Sequence, residues 1–372
     1  MSKHLVLIGG GHAHMVTLAN LHQFINRGHM VTVIGPSPNH YYSGMGPGML
    51  SRIYTPDDIR FDTRHLVQKQ GGKFVLGTVT RIDPDTETLF LASGDSLSYD
   101  VLSINAGSYV PWKNETANCE DIFSVKPIEK LQEAQKRLFG LARRGESTSV
   151  GIVGGGASAA EIAGNVWRLL IDAGGRPDIK IFAGNRFLKS FPEKVRKKAI
   201  ASLLKRDIAI LENSRASELE SGKIVTDSGD IHHVDLIFLA VGVKPSPIIG
   251  DSGLPTGPDG GLLVNEFLQS PRYPHIFGGG DCIYFQKQPL DKVGVYAVRQ
   301  NPILFHNLMA ALEGNELAPF DPGKAYLLIF NMGDGSGIFY KQGVLIGGRL
   351  AFMIKDYIDR KFMRKFQAYE TK

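Results

Sequence analysis

Two short apolar runs, each stopped by glycines and followed by helical periodicity, set the pattern of this chain. The first is Leu5-Val6-Leu7-Ile8. An unbroken apolar run of this length, bounded by a turn signal, reads as a strand buried on both faces in a parallel sheet. It enters Gly9, Gly10 and Gly11, after which the spacing predicts a helix over 13–27 and a second strand over 30–34. The arrangement recurs at 150–161: an apolar strand, then Gly154, Gly155 and Gly156, then a helix to about residue 173 and a strand over 179–183. Apolar runs at 235–240 and at 276–278, the latter followed by Gly279, Gly280 and Asp281, predict two more buried strands. Between the two units, alternation over 73–102 predicts a small β-meander ending in a strand over 99–104, and 126–145 reads as a basic, polar-faced connecting helix. Residues 40–50 hold too much glycine for a helix interior and read as a loop. The fold class is therefore α/β, with two Rossmann-like dinucleotide-binding domains.

Composition narrows the class. The chain has 372 residues, 43% apolar and 21% charged, enough for two or three domains with sizeable cores. Its two cysteines, Cys119 and Cys282, offer neither a zinc-ligand spacing nor a disulfide framework, so no metal is expected and a reducing compartment is. The opening Met-Ser-Lys runs straight into the first strand, and no apolar run approaches membrane-spanning length, which predicts a cytoplasmic protein. The net charge is +5; residues 349–372 carry seven Lys/Arg and three Asp/Glu, so most of the excess belongs to the tail.

The glycine turns carry the chemistry. Gly9 and Gly11 let the backbone turn tightly and approach a pyrophosphate, which sits on the free N–H groups where a helix begins near His12. Gly154 and Gly156 repeat this, with Ala159 small enough for helix to pack on strand. A ribose-binding carboxylate belongs at the end of the second strand of each unit; here stand Gly35, Pro36 and Ser37 in one and Gly184, Asn185 and Arg186 in the other. Either Ser37 and backbone groups hold the first ribose or the first site is a weaker one, and the choice between NADH and NADPH stays open. In the loop, Tyr41, Tyr42 and Pro47 offer packing surfaces for a flat cofactor. Asp281, at a strand end, is either a cofactor ligand or a helix cap. His232 and His233 lie in a hydrophilic turn and read as solvated.

Taken in order, the two fingerprints, the turn Asn105-Ala106-Gly107-Ser108, the segment Ala240-Val241-Gly242-Val243-Lys244-Pro245 and Phe277-Gly278-Gly279-Gly280-Asp281-Cys282 resemble the two-dinucleotide flavoproteins of the pyridine nucleotide–disulfide oxidoreductase superfamily. The absence of a cysteine between Tyr41 and Tyr54 sets aside dithiol exchange. What remains resembles the type II NADH dehydrogenase and sulfide:quinone oxidoreductase branch, most closely the NADH-dehydrogenase-like domain fused in some bacteria to selenide, water dikinase. The resemblance implies an FAD domain over 1–115 and 244–322, an NAD(P)H domain over 116–243 and a C-terminal region over 323–372. It implies FAD at Gly9, Gly11, His12, His14, Ser37, Pro47, Asn105, Ala106, Gly107, Gly280, Asp281 and Val295, and NAD(P)H at Gly154 and Gly156. Glu161 would position the nicotinamide, Lys292 or the helix N-terminus near Val295 would stabilise negative charge on the flavin, and Gln300 belongs to a motif facing a quinone. The implied activity is electron transfer from NAD(P)H through FAD to a quinone. Sulfide:quinone oxidoreduction and a flavin-binding regulator without turnover are the alternatives.

In the tail, Leu350, Ile354, Tyr357, Ile358, Phe362 and Phe366 fall at helical spacing, with Lys355, Arg360, Lys361, Arg364 and Lys365 supplying charge. Three occupants fit that face: the flavin domain, a second copy of the chain, or the headgroup plane of a membrane, which would put the protein peripherally on the inner face of the cell membrane. The charged positions lack interleaved base-stacking aromatics, so no nucleic acid partner is expected.

Overall fold

The computed structural model describes residues 2–112, 119–145 and 147–371. Two parallel five-stranded sheets carry the chain. The first runs Ile276–Gly278, Val101–Ile104, His4–Ile8, Met30–Gly35, Lys73–Leu76; the second runs Ile122–Ser124, Leu236–Leu239, Ser147–Val153, Arg176–Phe182, Ala209–Leu211. In each, the strand that enters the glycine turn is the middle one, covered on both faces. Leu5, Val6, Leu7, Val150 and Ile152 are completely buried, which is why these runs carry no polar alternation.

Local departures from the sequence pattern have identifiable causes. The helix expected over 13–27 is three short pieces, His12–His14, Met15–Ala19 and Leu21–Ile25. Its break falls at Asn20, whose side-chain amide donates to the Val16 carbonyl while its backbone leaves helical geometry (φ −129°, ψ 23°). The meander is smaller than expected: Val79–Asp83, Thr88–Leu91 and Ser96–Ser98 form it, while the flanking strands Lys73–Leu76 and Val101–Ile104 join the parallel sheet. The glycine-rich loop contains a short helix, Gly46–Leu50, with Pro47 in its first turn, where a missing N–H costs nothing. The connecting helix begins at Glu129, two residues beyond Pro127, and not at 126.

A three-stranded antiparallel sheet, Leu328–Asn331, Gly337–Lys341 and Val344–Gly348, precedes the last helix, Arg349–Thr371. This sheet packs on the second unit, where Gly164 lies so close to Met332 that a Cβ would fall 2.1 Å from its carbonyl oxygen. The last helix packs on the first unit. The expected single apolar face is split between two sides of it. Phe362 and Phe366 turn inward with Ala351, Lys355, Asp359 and Met363, whereas Leu350, Met353, Tyr357 and Ile358 face out, 57, 64, 60 and 40% exposed. Lys355, expected on the charged surface, is instead buried: its ammonium donates to Asp359 Oδ2 (2.6 Å) and to the Gly44 carbonyl (2.7 Å). A helix line at i, i+4 places 351, 355, 359 and 363 on one side, so the apolar count alone misassigned the inner face.

Candidate functional site

A cleft opens where the strands of the first sheet end. Its wall comes from the segments after four strands: Gly9 to His12, Gly35 to Ser37, Asn105 to Ser108, and Gly280 with Asp281. Three glycines there tolerate no side chain. A Cβ on Gly9 (φ +86°) would lie 2.3 Å from the Asn105 carbonyl oxygen, one on Gly11 2.7 Å from Asn105 Nδ2, and one on Gly280 (φ +77°) 2.6 Å from Asn105 Oδ1. The same wall holds two buried polar atoms with no hydrogen-bond partner among the described residues, His12 Nε2 and Asn105 Nδ2. Backbone that must approach closely, beside donors left without partners, fits the pyrophosphate and polyol of a dinucleotide such as FAD.

Side chains behind the wall hold it in shape. His14 is turned away from the cleft: its Nδ1 binds the Gly9 carbonyl (2.7 Å) and its Nε2 binds Ser103 Oγ (2.8 Å), while burial pushes its pKa down to about 4. Gln300 is buried rather than facing outward, its Oε1 accepting the Gly280 N–H at 2.7 Å. Lys292 donates to the Ile283 carbonyl and pairs with Asp259 (2.7 Å), away from the lining. Asn301 accepts the Val16 N–H and donates to the His12 carbonyl, fixing the turn to the helix Gly294–Glu313. Of that helix, Gly294 and Ala297 reach the cleft and Val295 does not. Pro47 likewise lies outside the lining, which includes Tyr41 and Ser43 from the same loop.

Two polar groups on the wall stand out. Asp281 accepts from Lys126 Nζ (2.5 Å) and Ser108 Oγ (2.7 Å), a triad in which Lys126 also donates to Ser108. His12 Nδ1 lies 3.2 Å from His40 Nε2, and the His12 ring packs against both Tyr42 and Phe362 of the last helix, 5.2 and 5.9 Å between centroids. Burial, helped by the nearby Lys126 charge, pushes His12 down to about 4, so this imidazole is neutral at physiological pH. Burial and then the neighbouring His12 hold His40 well below its ordinary value as well.

Glu161 lies outside both clefts. It sits on the helix Ala157–Asp172, its Oε1 accepting the Asn331 N–H at 2.8 Å beside Lys355 and Asp359. Burial pushes its carboxyl up to about 7; Lys355 and the Asn331 N–H oppose that rise. Burial also raises Asp359, whose Oδ1 accepts from Tyr42 at 3.1 Å. The first unit, the second unit and the tail thus meet at one buried charged cluster.

The second cleft lies at the strand ends of the second sheet, lined by Pro111, Trp112, Val153, Gly154, Gly155, Phe182, Gly184, Arg215, Ala216, Ser217 and Val241. Gly154 (φ +141°) approaches the Ala240 carbonyl so closely that a Cβ would fall 2.1 Å from its oxygen. Gly156 caps the following helix instead of lining the cleft. Lys126 and Arg215 are the residues that sequence reasoning passed over. Pro127 was a signal for the first, since a residue before proline is pushed from helix into extended chain; nothing local marks Arg215.

A family model described as pyridine nucleotide-disulphide oxidoreductase matches residues 3–306. The ferroptosis suppressor protein 1 of Taeniopygia guttata is 26% identical over 296 residues, covering 77% of this chain and 76% of that protein. The demethylphylloquinone reductase NdbB of Synechocystis sp. is 25% identical over 330 residues, covering 85% and 81%. Among solved structures, NDH2 from Plasmodium falciparum in complex with NADH superposes with a TM-score of 0.80 at 14% identity, covering 100% of this chain and 97% of that one.

Proposed function

The chain belongs to the pyridine nucleotide-disulphide oxidoreductase family, and on that premise we propose that it passes two electrons from NAD(P)H, by way of FAD, to a quinone. The observation that carries this is the pair of glycine-walled clefts, one at the strand ends of each parallel sheet. The first is the FAD site, held by Gly9, Gly11, Ser37, Asn105, Ala106, Gly107, Gly280 and Asp281; the second, with Gly154 at its turn, takes the nicotinamide dinucleotide. NdbB is a demethylphylloquinone reductase by name and the NDH2 structure holds NADH, which supports the two ends of the electron path.

FAD, when bound, supplies the chemistry that accepts a hydride and hands on two electrons. The protein supplies position and charge. Lys126 holds Asp281 in place through their 2.5 Å contact, so the carboxylate is oriented to accept hydroxyl donors from the cofactor. Overall, NAD(P)H, one proton and a quinone yield NAD(P)⁺ and a quinol, so one proton must come from outside the hydride. His12 stays neutral on the cleft wall with His40 behind it, so its Nε2 is left to hydrogen-bond the cofactor and not to carry that proton. Glu161, poised near neutrality by burial, is a proton-holding group beside the tail.

Sulfide oxidation needs cysteine sulfur at the cleft. Cys282 is buried, donates to the Ile104 and Gly279 carbonyls, and is pushed up to about 11 by that burial; neither it nor Cys119 is among the lining residues. The outward apolar stripe Leu350, Met353 and Tyr357, beside exposed Lys361, Arg364 and Lys365, supports a peripheral seat on an anionic membrane, where a quinone dissolves. Among the described residues no helix is long and apolar enough to cross a membrane. Anaerobic stopped-flow mixing tests the main reading: the yellow protein bleaches with NADH or NADPH and recovers its colour with a soluble quinone. A flavin that neither reductant bleaches removes the assignment and leaves a binding role.

A further inference from the structure

We propose that Arg215 forms a subsite for the adenosine 2′-phosphate in the second cleft, so that the protein selects NADPH over NADH. This rests on that cleft being the nicotinamide nucleotide site. In units of this type the ribose 2′ position lies at the end of the second strand, where a carboxylate accepts the hydroxyl of NAD and a cation accepts the phosphate of NADP.

Here that strand is Arg176–Phe182, and among the described residues the cleft lining includes no carboxylate and a single charged side chain, Arg215. Arg186 is the cation that the sequence offers at this place. It is absent from the lining and its guanidinium is engaged with Glu193 at 2.6 Å. Arg215 arrives instead from the segment after the neighbouring strand Ala209–Leu211. Its Cβ and Cγ lie against Gly184, 3.4 Å from where a Cβ on that glycine would stand, so the small residue leaves the arginine room to lean over the strand end.

Among the described residues the Arg215 side chain makes no hydrogen bond or ion pair. Glu212, three residues before it, is committed to Arg196 (2.7 Å) and to the Phe187 N–H (2.7 Å). An uncommitted guanidinium in a cleft whose described lining holds no acid attracts a phosphate dianion and gives a ribose hydroxyl little preference.

The test is calorimetric titration of the FAD-loaded full chain with NADP⁺ and NAD⁺, which bind without turnover. The wild type binds NADP⁺ at least ~10-fold tighter, as a charge-assisted contact to phosphate requires. Arg215→Ala brings the two affinities within ~2-fold by weakening NADP⁺ alone, whereas Arg186→Ala keeps the preference. Equal binding of both nucleotides by the wild type, or a preference that survives Arg215→Ala, overturns the assignment while leaving the cleft a nucleotide site. Binding of neither nucleotide removes the cleft's reading and the subsite with it.

Discussion

Replacing Glu161 with glutamine converts the buried carboxyl at the junction of the two units into a group that cannot ionise. The amide oxygen still accepts the Asn331 N–H, and the volume hardly changes. Burial raises the wild-type carboxyl from 4.5 to about 7, so between those values the folded chain keeps a proton that the unfolded chain has released. The stability this group contributes is complete below its unfolded value and is lost as the pH rises through about 7. A tenfold difference in proton affinity between folded and unfolded chain is worth about 1.4 kcal/mol, so the wild type loses about 2.5 kcal/mol relative to Glu161→Gln between pH 5 and pH 8. At roughly 2 °C per kcal/mol, the difference between their melting temperatures widens by about 5 °C in favour of the variant. Thermal melts of the FAD-saturated proteins at the two pH values measure it directly. A difference that stays constant with pH, or that moves in favour of the wild type, would refute a carboxyl held neutral by burial.

Two further outcomes follow from contacts at the clefts and the tail. Lys126→Met strips Asp281 of its cation and weakens FAD binding by about 2 kcal/mol, roughly 30-fold in Kd by fluorescence titration; unchanged affinity would show that the pair does not shape the cradle. Leu350→Glu, Met353→Glu and Tyr357→Glu together replace exposed side chains, so the melting temperature stays within about 2 °C while sedimentation with anionic liposomes is lost. Retained sedimentation would take the stripe out of any membrane contact.

The parallel sheets and both glycine turns were legible because their signal is local. A four-residue apolar run and the glycines after it determine strand, turn and cleft within a dozen residues of chain, at Leu5 to Gly11 and at Val150 to Gly156. What escaped depends on distant partners. Lys126 meets Asp281 across 155 positions, and Lys355 is buried because Gly44 and Asp359 receive it, which its neighbours in sequence do not announce. Gln300 and His14 carry the residue types of a reactive site, yet both serve to brace glycine turns, a role visible only once the strands are laid side by side. The first helix failed as a reading because periodicity measures which face is apolar and is blind to a single Asn20 side chain competing for a carbonyl.

The inward face of the last helix bears on how the tail can be studied. Because Phe362 lies on His12 and Asp359 receives Tyr42, shortening the chain before residue 349 would strip the packing from behind His12 on the first cleft's wall along with any lipid contact. Any attachment would share this piece of polypeptide with assembly, so a truncated protein that lost activity would say nothing about lipid. Only surface substitutions on the far side of that helix can tell the two apart.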